Sequence, residues 1–337
     1  MRLGNLTLGK PFLWPVERFL RNTIFVLAVF DLAMILVRNI GFDWFSYTLF
    51  FALGMFMITV GLFYRSSGRS ERISMTLMAT GLLLLFTIVL SVFGYLLLPL
   101  WREPIDPFLV QIDAWFGYSW PDIVEFAGRH PFFNELTRYA YLSSIPQMAL
   151  LFIILGFGGK QKELHVFILS ITASGLATLG FWALFPAFGT SVLYDISGPI
   201  EQAARPLVGS SYGAELMRLG AEGPNFISPR DTEGLVAFPS YHTIMAVLAM
   251  YSARTTRWWF PILVVINLFV LPGVLIHGGH HLIDVFGGLL TAGCIIYVAR
   301  QVVTEKEIQA DGVYVAPEQE IPFVKSSTDM PRVHSKA

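Results

Sequence analysis

The sequence predicts an all-α, polytopic integral membrane protein, a helical bundle of about eight spans. Three observations predict it. Hydrophobic residues make up 54% of the 337 and charged residues only 14%, against about 25% charged in an ordinary soluble domain. Mean hydropathy is +0.60. Apolar runs close to the ~20 residues that a helix needs to cross a bilayer recur at about 22–40, 44–64, 74–98, 139–157, 165–187, 236–253, 258–276 and 281–299.

Residues Met1 to Pro15 carry charges but no apolar stretch followed by a small-residue cleavage site, so no removable signal peptide is expected. The first run is interrupted by Asp31. An ionisable residue near mid-depth faces the bundle interior, here as a polar partner for a neighbouring helix. Positive charge alternates between loops. Arg2, Lys10, Arg18 and Arg21, then Arg65, Arg69 and Arg72, then Lys160 and Lys162, then Arg254 and Arg257, then Arg300 and Lys306 fall on one side. Only Arg38 marks the first loop opposite. The positive-inside rule then places both termini in the cytoplasm. The long connections 99–138 and 188–235 would lie outside it, in a protein of a bacterial inner (cell) membrane.

Within the first long connection, Phe108, Leu109, Ile112, Trp115 and Phe116 share one side of a helix while Asp106, Gln111 and Asp113 lie elsewhere. That pattern describes a helix lying in the membrane interface, a structural belt. The second connection exceeds the ~12–15 residues usual for an unstructured loop, so it is expected to form a small cap or lid. From about 303 the chain turns to Glu, Pro, Ser and Lys, the composition of a disordered cytoplasmic tail. A formal net charge of −1 offers no basic face for nucleic acid. The single cysteine, Cys294, excludes a disulfide framework.

Chemistry concentrates where two polar loops become apolar runs: Pro239-Ser240-Tyr241-His242 and His277-Gly278-Gly279-His280-His281-Leu282-Ile283-Asp284. With the orientation above, both mouths open on the same, extracytoplasmic side. If the last run is helical from about His280, Asp284 is its neighbour four residues on. The carboxylate can then hold the proton of one imidazole nitrogen and leave the other free to attack. His280 is thus the candidate nucleophile and His242 the candidate general acid for a leaving oxygen. Ser240 and the N–H groups at a helix start suit an anion. Together these parts fit phosphoryl transfer through a phosphohistidine.

Pro239-Ser240-Tyr241-His242 resembles the P-S-G-H signature of the type 2 phosphatidic acid phosphatase superfamily, and His280 to Asp284 resembles the H-x3-D end of its last signature. The resemblance implies a six-helix catalytic core and a lipid-phosphate substrate in the bilayer, with no cofactor or metal. It assigns nucleophile, support and acid to His280, Asp284 and His242. It covers about 75–300, so 74–302 is expected as a catalytic membrane domain. Residues 1–73, with two accessory spans, and the tail 303–337 fall outside it. Two departures stand out. The S-R before the last histidine would fall at Gly273-Val274, and the K-x6-R-P signature is absent.

Phe185-Pro186-Ala187-Phe188-Gly189-Thr190-Ser191, Tyr241 in place of glycine, and the D-P-x-L-x-x-x-D-like segment at Asp106 are similar to the inositol phosphorylceramide synthase-like, inositolphosphotransferase branch. That makes Gly189, Thr190, Ser240 and Tyr241 expected substrate contacts. Arg138 and Arg230 become the candidate phosphate counterions. Two alternatives stay open. His277, His280, His281 and Asp284 have the spacing of a helical zinc cluster, and the bundle could be a non-catalytic lipid transporter or scaffold. Neither the acceptor, water or a hydroxyl, nor the oligomeric state is legible.

Overall fold

The computed structural model describes residues 13–196 and 198–303. The expected cytoplasmic N-terminus up to residue 12 and the tail from 304 lie outside the described residues. Thirteen α-helices occur among these residues: α1 (Pro15–Arg38), α2 (Trp44–Ser66), α3 (Glu71–Leu96), α4 (Asp106–Trp115), α5 (Trp120–Arg129), α6 (Pro131–Leu142), α7 (Ser144–Phe157), α8 (Gln161–Leu184), α9 (Pro199–Ala204), α10 (Ser210–Glu222), α11 (Tyr241–Ala253), α12 (Trp259–His277) and α13 (Leu282–Val302). Two-residue strands β1 (Gly41–Phe42) and β2 (Phe226–Ile227) pair in parallel and tie the α1–α2 turn to the 188–235 connection.

Six helices, α1, α2, α3, α8, α12 and α13, are long and apolar enough to cross a membrane, and α6 with α7 forms a seventh candidate bent by 50°. Of the eight expected runs, 236–253 alone falls outside these candidates. The run 236–253 is helical only over the 13 residues of α11, about 20 Å at 1.5 Å per residue. Its first residues are consumed by the Pro239-Ser240 entry, where Ser240 Oγ accepts from Thr243 N at 3.4 Å and sets the helix start.

At one end of the bundle, Glu17 on α1 accepts from Trp14 N at 2.9 Å and pairs with Arg65 of α2 at 2.6 Å, while Arg65 Nε lies 3.2 Å from Glu71 of α3. Three helix ends are thereby fixed around one buried guanidinium. At the other end Arg38 donates to the carbonyls of Leu96 and Leu98 at 2.8 and 2.6 Å, satisfying acceptors left open where α3 stops. Between these ties α2 and α3 approach closely at Gly54 and Gly81, where an added Cβ would come 2.7 Å from Leu85 Cδ2 and 2.8 Å from Gly54 O. Small residues permit such contact where lipid supplies no hydrophobic drive between helices. Asp31 is buried as expected, yet neither of its carboxylate oxygens has a hydrogen-bond partner among the described residues.

The short α11 sits inside the bundle. Its Ile244, Met245, Leu248 and Ala249 are buried in one cluster with Leu151, Phe152 and Leu155 of α7 and Phe167 and Ile168 of α8. Large apolar side chains on α1, α2 and α12, such as Phe25, Phe56 and Leu268, point outward instead. That is the inside-out distribution a bilayer allows, since lipid solvates apolar side chains as well as a core does.

Helix α4 forms where expected, but its faces carry a different meaning. Phe108, Trp115 and Phe116 are exposed, while Asp106 and Asp113 are 0% and 2% exposed. The two carboxylates, seven residues apart, share the buried stripe with Leu109. The apolar face is the exposed one and the polar face packs on protein, the reverse of the solvent-facing polar side that amphipathicity suggests in water.

Candidate functional site

The two mouths meet through backbone. Ser240 N, at the entry to α11, donates to Asp284 O in the first turn of α13 at 3.1 Å. Gly288 allows the approach, since a Cβ there would lie 2.7 Å from Ser240 O. The segment between α12 and α13 is not helical. Gly278 ends α12, Gly279 adopts φ +60°, and His281 is the residue before α13. His280 and Asp284 nevertheless meet, with His280 Nδ1 3.1 Å from Asp284 Oδ2. The same oxygen accepts from His281 N at 2.9 Å, because Asp284 occupies the third helical position and reaches back to the cap. Asp284 is 0% exposed and its Oδ1 has no partner among the described residues. This arrangement puts the shared proton on Nδ1 and leaves His280 Nε2 with its lone pair.

His242, in the first turn of α11, stacks on the Tyr141 ring with centroids 4.1 Å apart and planes at 21°. A single Cβ added at Gly278 would touch both His280 Cδ2, at 2.8 Å, and Tyr141 Cε2, at 3.1 Å. Both histidines therefore flank one tyrosine at the α6–α7 bend. The Tyr141 hydroxyl makes no hydrogen bond among the described residues.

The loop bearing His280 is held from three directions. Gly279 O accepts from Thr190 N at 2.7 Å and from Thr190 Oγ1 at 2.9 Å. Gly189, at φ +98°, is required here, because a Cβ would lie 2.4 Å from Gly279 O. His280 O accepts from Tyr118 Oη at 3.1 Å. Burial, with Asp113 and Asp284 nearby, raises the Tyr118 phenol well above its usual range, so it remains a donor. His281 lies between two carboxylates, Nδ1 3.0 Å from Asp113 Oδ2 and Nε2 3.3 Å from Asp106 Oδ1. The second contact is an ion pair without hydrogen-bond alignment. Burial opposes charge on His281, but the two carboxylates outweigh it and push the imidazole up to about 9.

A consequence for stability follows. His281 has a folded value above its ordinary 6.5, so its contribution is fully present below about pH 6.5 and is lost as pH rises through about 9. Thermal unfolding in detergent should move to lower temperature between pH 7 and 10, and by less in His281→Gln. Equal slopes in both proteins would contradict the assignment.

The structure brings His280, Asp284, His242, Ser240, Tyr241, Gly189 and Thr190 into one neighbourhood, though not all face a common space. Ser240 is fully buried, with its hydroxyl engaged as the helix cap and its N–H on Asp284. Tyr241 Oη donates to Ile171 O of α8 at 3.2 Å, a strut between helices. Gly189 and Thr190 hold Gly279. Arg138, on α6 one turn before Tyr141, donates to Arg205 O at 2.5 Å. Arg230 is exposed beside Ser228 and Asp43 at the start of α2. Sequence spacing suggested a four-ligand metal cluster, but the break at Gly278-Gly279 turns the side chains apart. His277 Nε2 faces Asn134 O at 3.1 Å and Thr137 Oγ1 at 3.3 Å, His280 faces Asp284, and His281 faces α4. Among the described residues no group of three or more His, Cys, Asp or Glu could hold a metal ion.

The sequence reading gives Asp106 and Asp113 no catalytic or binding role and His281 only a place in the zinc alternative. The one signal for them was the D-P-x-L-x-x-x-D spacing, whose carboxylates stand on one helical face.

Apolar helices enclosing a buried histidine–carboxylate pair, with a second histidine beside it, define a polytopic membrane protein with the parts for histidine-based chemistry. The family model of the PAP2 superfamily matches residues 107–298, more than half of the chain, and the protein belongs to that superfamily. Membership points to a lipid-phosphatase type of function in a bilayer. Comparison with curated proteins and with solved structures returned no match.

Proposed function

We propose that the protein is a membrane lipid-phosphate phosphohydrolase or phosphotransferase that works through a phosphohistidine on His280. Nε2 of His280 attacks phosphorus, the bond from phosphorus to the lipid oxygen breaks, and protonated His242 gives its proton to the departing oxygen. His242 then takes the proton of an incoming hydroxyl, whose oxygen attacks the phosphohistidine and releases His280. Asp284 holds the Nδ1 proton and offsets the positive charge of the phosphorylated ring. The observation that carries this reading is the His280–Asp284 contact at 3.1 Å, with the free ring edge beside the Tyr141–His242 stack.

Water as acceptor makes the enzyme a phosphatase, and an inositol or ceramide hydroxyl makes it a transferase. The F-P-A-x-G-like stretch and the two aspartates of α4 support the inositolphosphotransferase branch. The loop charges support an active site on the extracytoplasmic side, with both termini in the cytoplasm. Arg138, the guanidinium nearest Tyr141 in sequence, is the proposed counterion for phosphate. Arg230, exposed and near Asp43, has less support.

Purified protein in vesicles, supplied separately with phosphatidic acid and with headgroup-labelled phosphoinositide plus ceramide, separates the two activities. Released inorganic phosphate identifies the phosphatase, and label appearing on ceramide identifies the transferase. Lipid movement between leaflets with neither product would support the transporter reading instead.

A further inference from the structure

We propose that His281 is a positioning residue, a buried imidazolium clamped between Asp106 and Asp113 that fixes the loop carrying His280. The proposal rests on the reading of His280 as nucleophile. All three clamp residues are buried, at 0%, 0% and 2% exposure for His281, Asp106 and Asp113. Both ring nitrogens face a carboxylate oxygen, at 3.0 and 3.3 Å. A neutral imidazole carries one N–H, spent on the hydrogen bond to Asp113, whereas the imidazolium also turns a positively charged N–H toward Asp106 in an ion pair.

The carboxylates do more than face the ring. Asp113 accepts from Leu282 N at 3.2 Å and Ile283 N at 3.0 Å, capping the first turn of α13 from another helix. Asp106 accepts from Phe188 N at 3.0 Å and Gly189 N at 2.7 Å, next to Thr190, which holds Gly279 O. Residues on both sides of His280 are thus pinned to α4. Two buried carboxylates this close require a cation, since uncompensated charge in the interior is costly. His281 supplies it. The other titratable group acting on His281 is Asp284 of α13, while Tyr118, which follows α4, donates to the neighbouring His280 O.

The expected consequence is on the rate of phosphorylation rather than on lipid binding. His281→Gln retains size and one hydrogen bond but loses the charge, and the loop can shift against α4. A misplacement of about 1 Å costs on the order of 10²-fold in rate. The experiment compares wild type, His281→Gln, Asp113→Asn and His280→Ala in phosphatidylcholine vesicles containing phosphatidic acid. It measures kcat and KM, the melting temperature, and the 15N histidine NMR spectrum.

The clamp predicts a doubly protonated imidazole at pH 7.5 in wild type that is missing in His281→Gln. It further predicts a fall in kcat of about 10²-fold with KM within about threefold in the folded variant. A neutral His281 in wild type at pH 7.5 overturns the proposal whatever the variants do. Normal kcat in folded His281→Gln also overturns it. If that variant does not fold, normal kcat in folded Asp113→Asn overturns it equally. Wild type unable to release phosphate would instead count against the phosphatase form of the proposed function. The His280 nitrogen signals then decide the clamp, which fails if they are unchanged in His281→Gln.

Discussion

His280→Ala should lower turnover by at least about 10³-fold, the scale on which removing a nucleophile falls, and should leave no acid-labile phosphate on the protein. The bundle should survive. His280 contributes one side-chain hydrogen bond, and Asp284 Oδ2 keeps His281 N as a donor after the ring is gone. The carbonyl of residue 280 still accepts from Tyr118. The stability lost is on the order of 1–3 kcal/mol, the cost of one buried hydrogen bond with a charged partner. Phosphate release and circular dichroism of the same preparation check both halves. A variant that retains its helices and more than a tenth of its activity would exclude His280 as the nucleophile.

Asp284→Asn should reduce phosphorylation of the enzyme by about 10²–10³-fold, the scale of one preorganised electrostatic contact. One carboxylate oxygen serves both His280 Nδ1 and His281 N. An asparagine therefore keeps both hydrogen bonds only with its oxygen in that place. The amide nitrogen then falls where Oδ1 is buried without a partner. The proton stays on Nδ1, but the negative charge that supports a phosphorylated, cationic ring is gone. The opposite orientation sets N–H against His281 N–H and turns the amide nitrogen on His280, the wrong tautomer for attack. Rapid-quench measurement of the phospho-enzyme reads the effect directly. A burst of normal rate would make Asp284 a structural cap only.

Much of this site was legible because it is local in sequence. His280 and Asp284 are four residues apart and meet even though α13 begins only at Leu282. Pro239-Ser240 announced a helix start, and α11 begins directly after it. Apolar runs located the long helices, because a bilayer imposes length and composition on a span. What stayed hidden depends on partners distant in the chain. Asp113 and His281 are separated by 168 positions, and no periodicity reports such a pairing.

The α4 carboxylates went without a role for a physical reason. Amphipathic patterning says that two faces differ, not which one meets protein, and in a membrane the apolar face can be the outer one. The metal spacing failed because i, i+3, i+4, i+7 places side chains together only on a continuous helix, and Gly279 breaks it with a positive φ. Arg230, five residues before the loop returns to Leu235, looked close to the site in sequence. The fold instead sends it toward Asp43.

The central claim is that a lipid phosphate is attacked by His280 with His242 beside it as proton donor. Its most direct test is to mix the protein in vesicles with 32P-labelled phosphatidic acid, quench in alkali, digest, and locate the label by mass spectrometry. The account predicts alkali-stable, acid-labile phosphate on His280, absent from His280→Ala. Label on any other residue, or phosphate release with no labelled protein at any quench time, would contradict it.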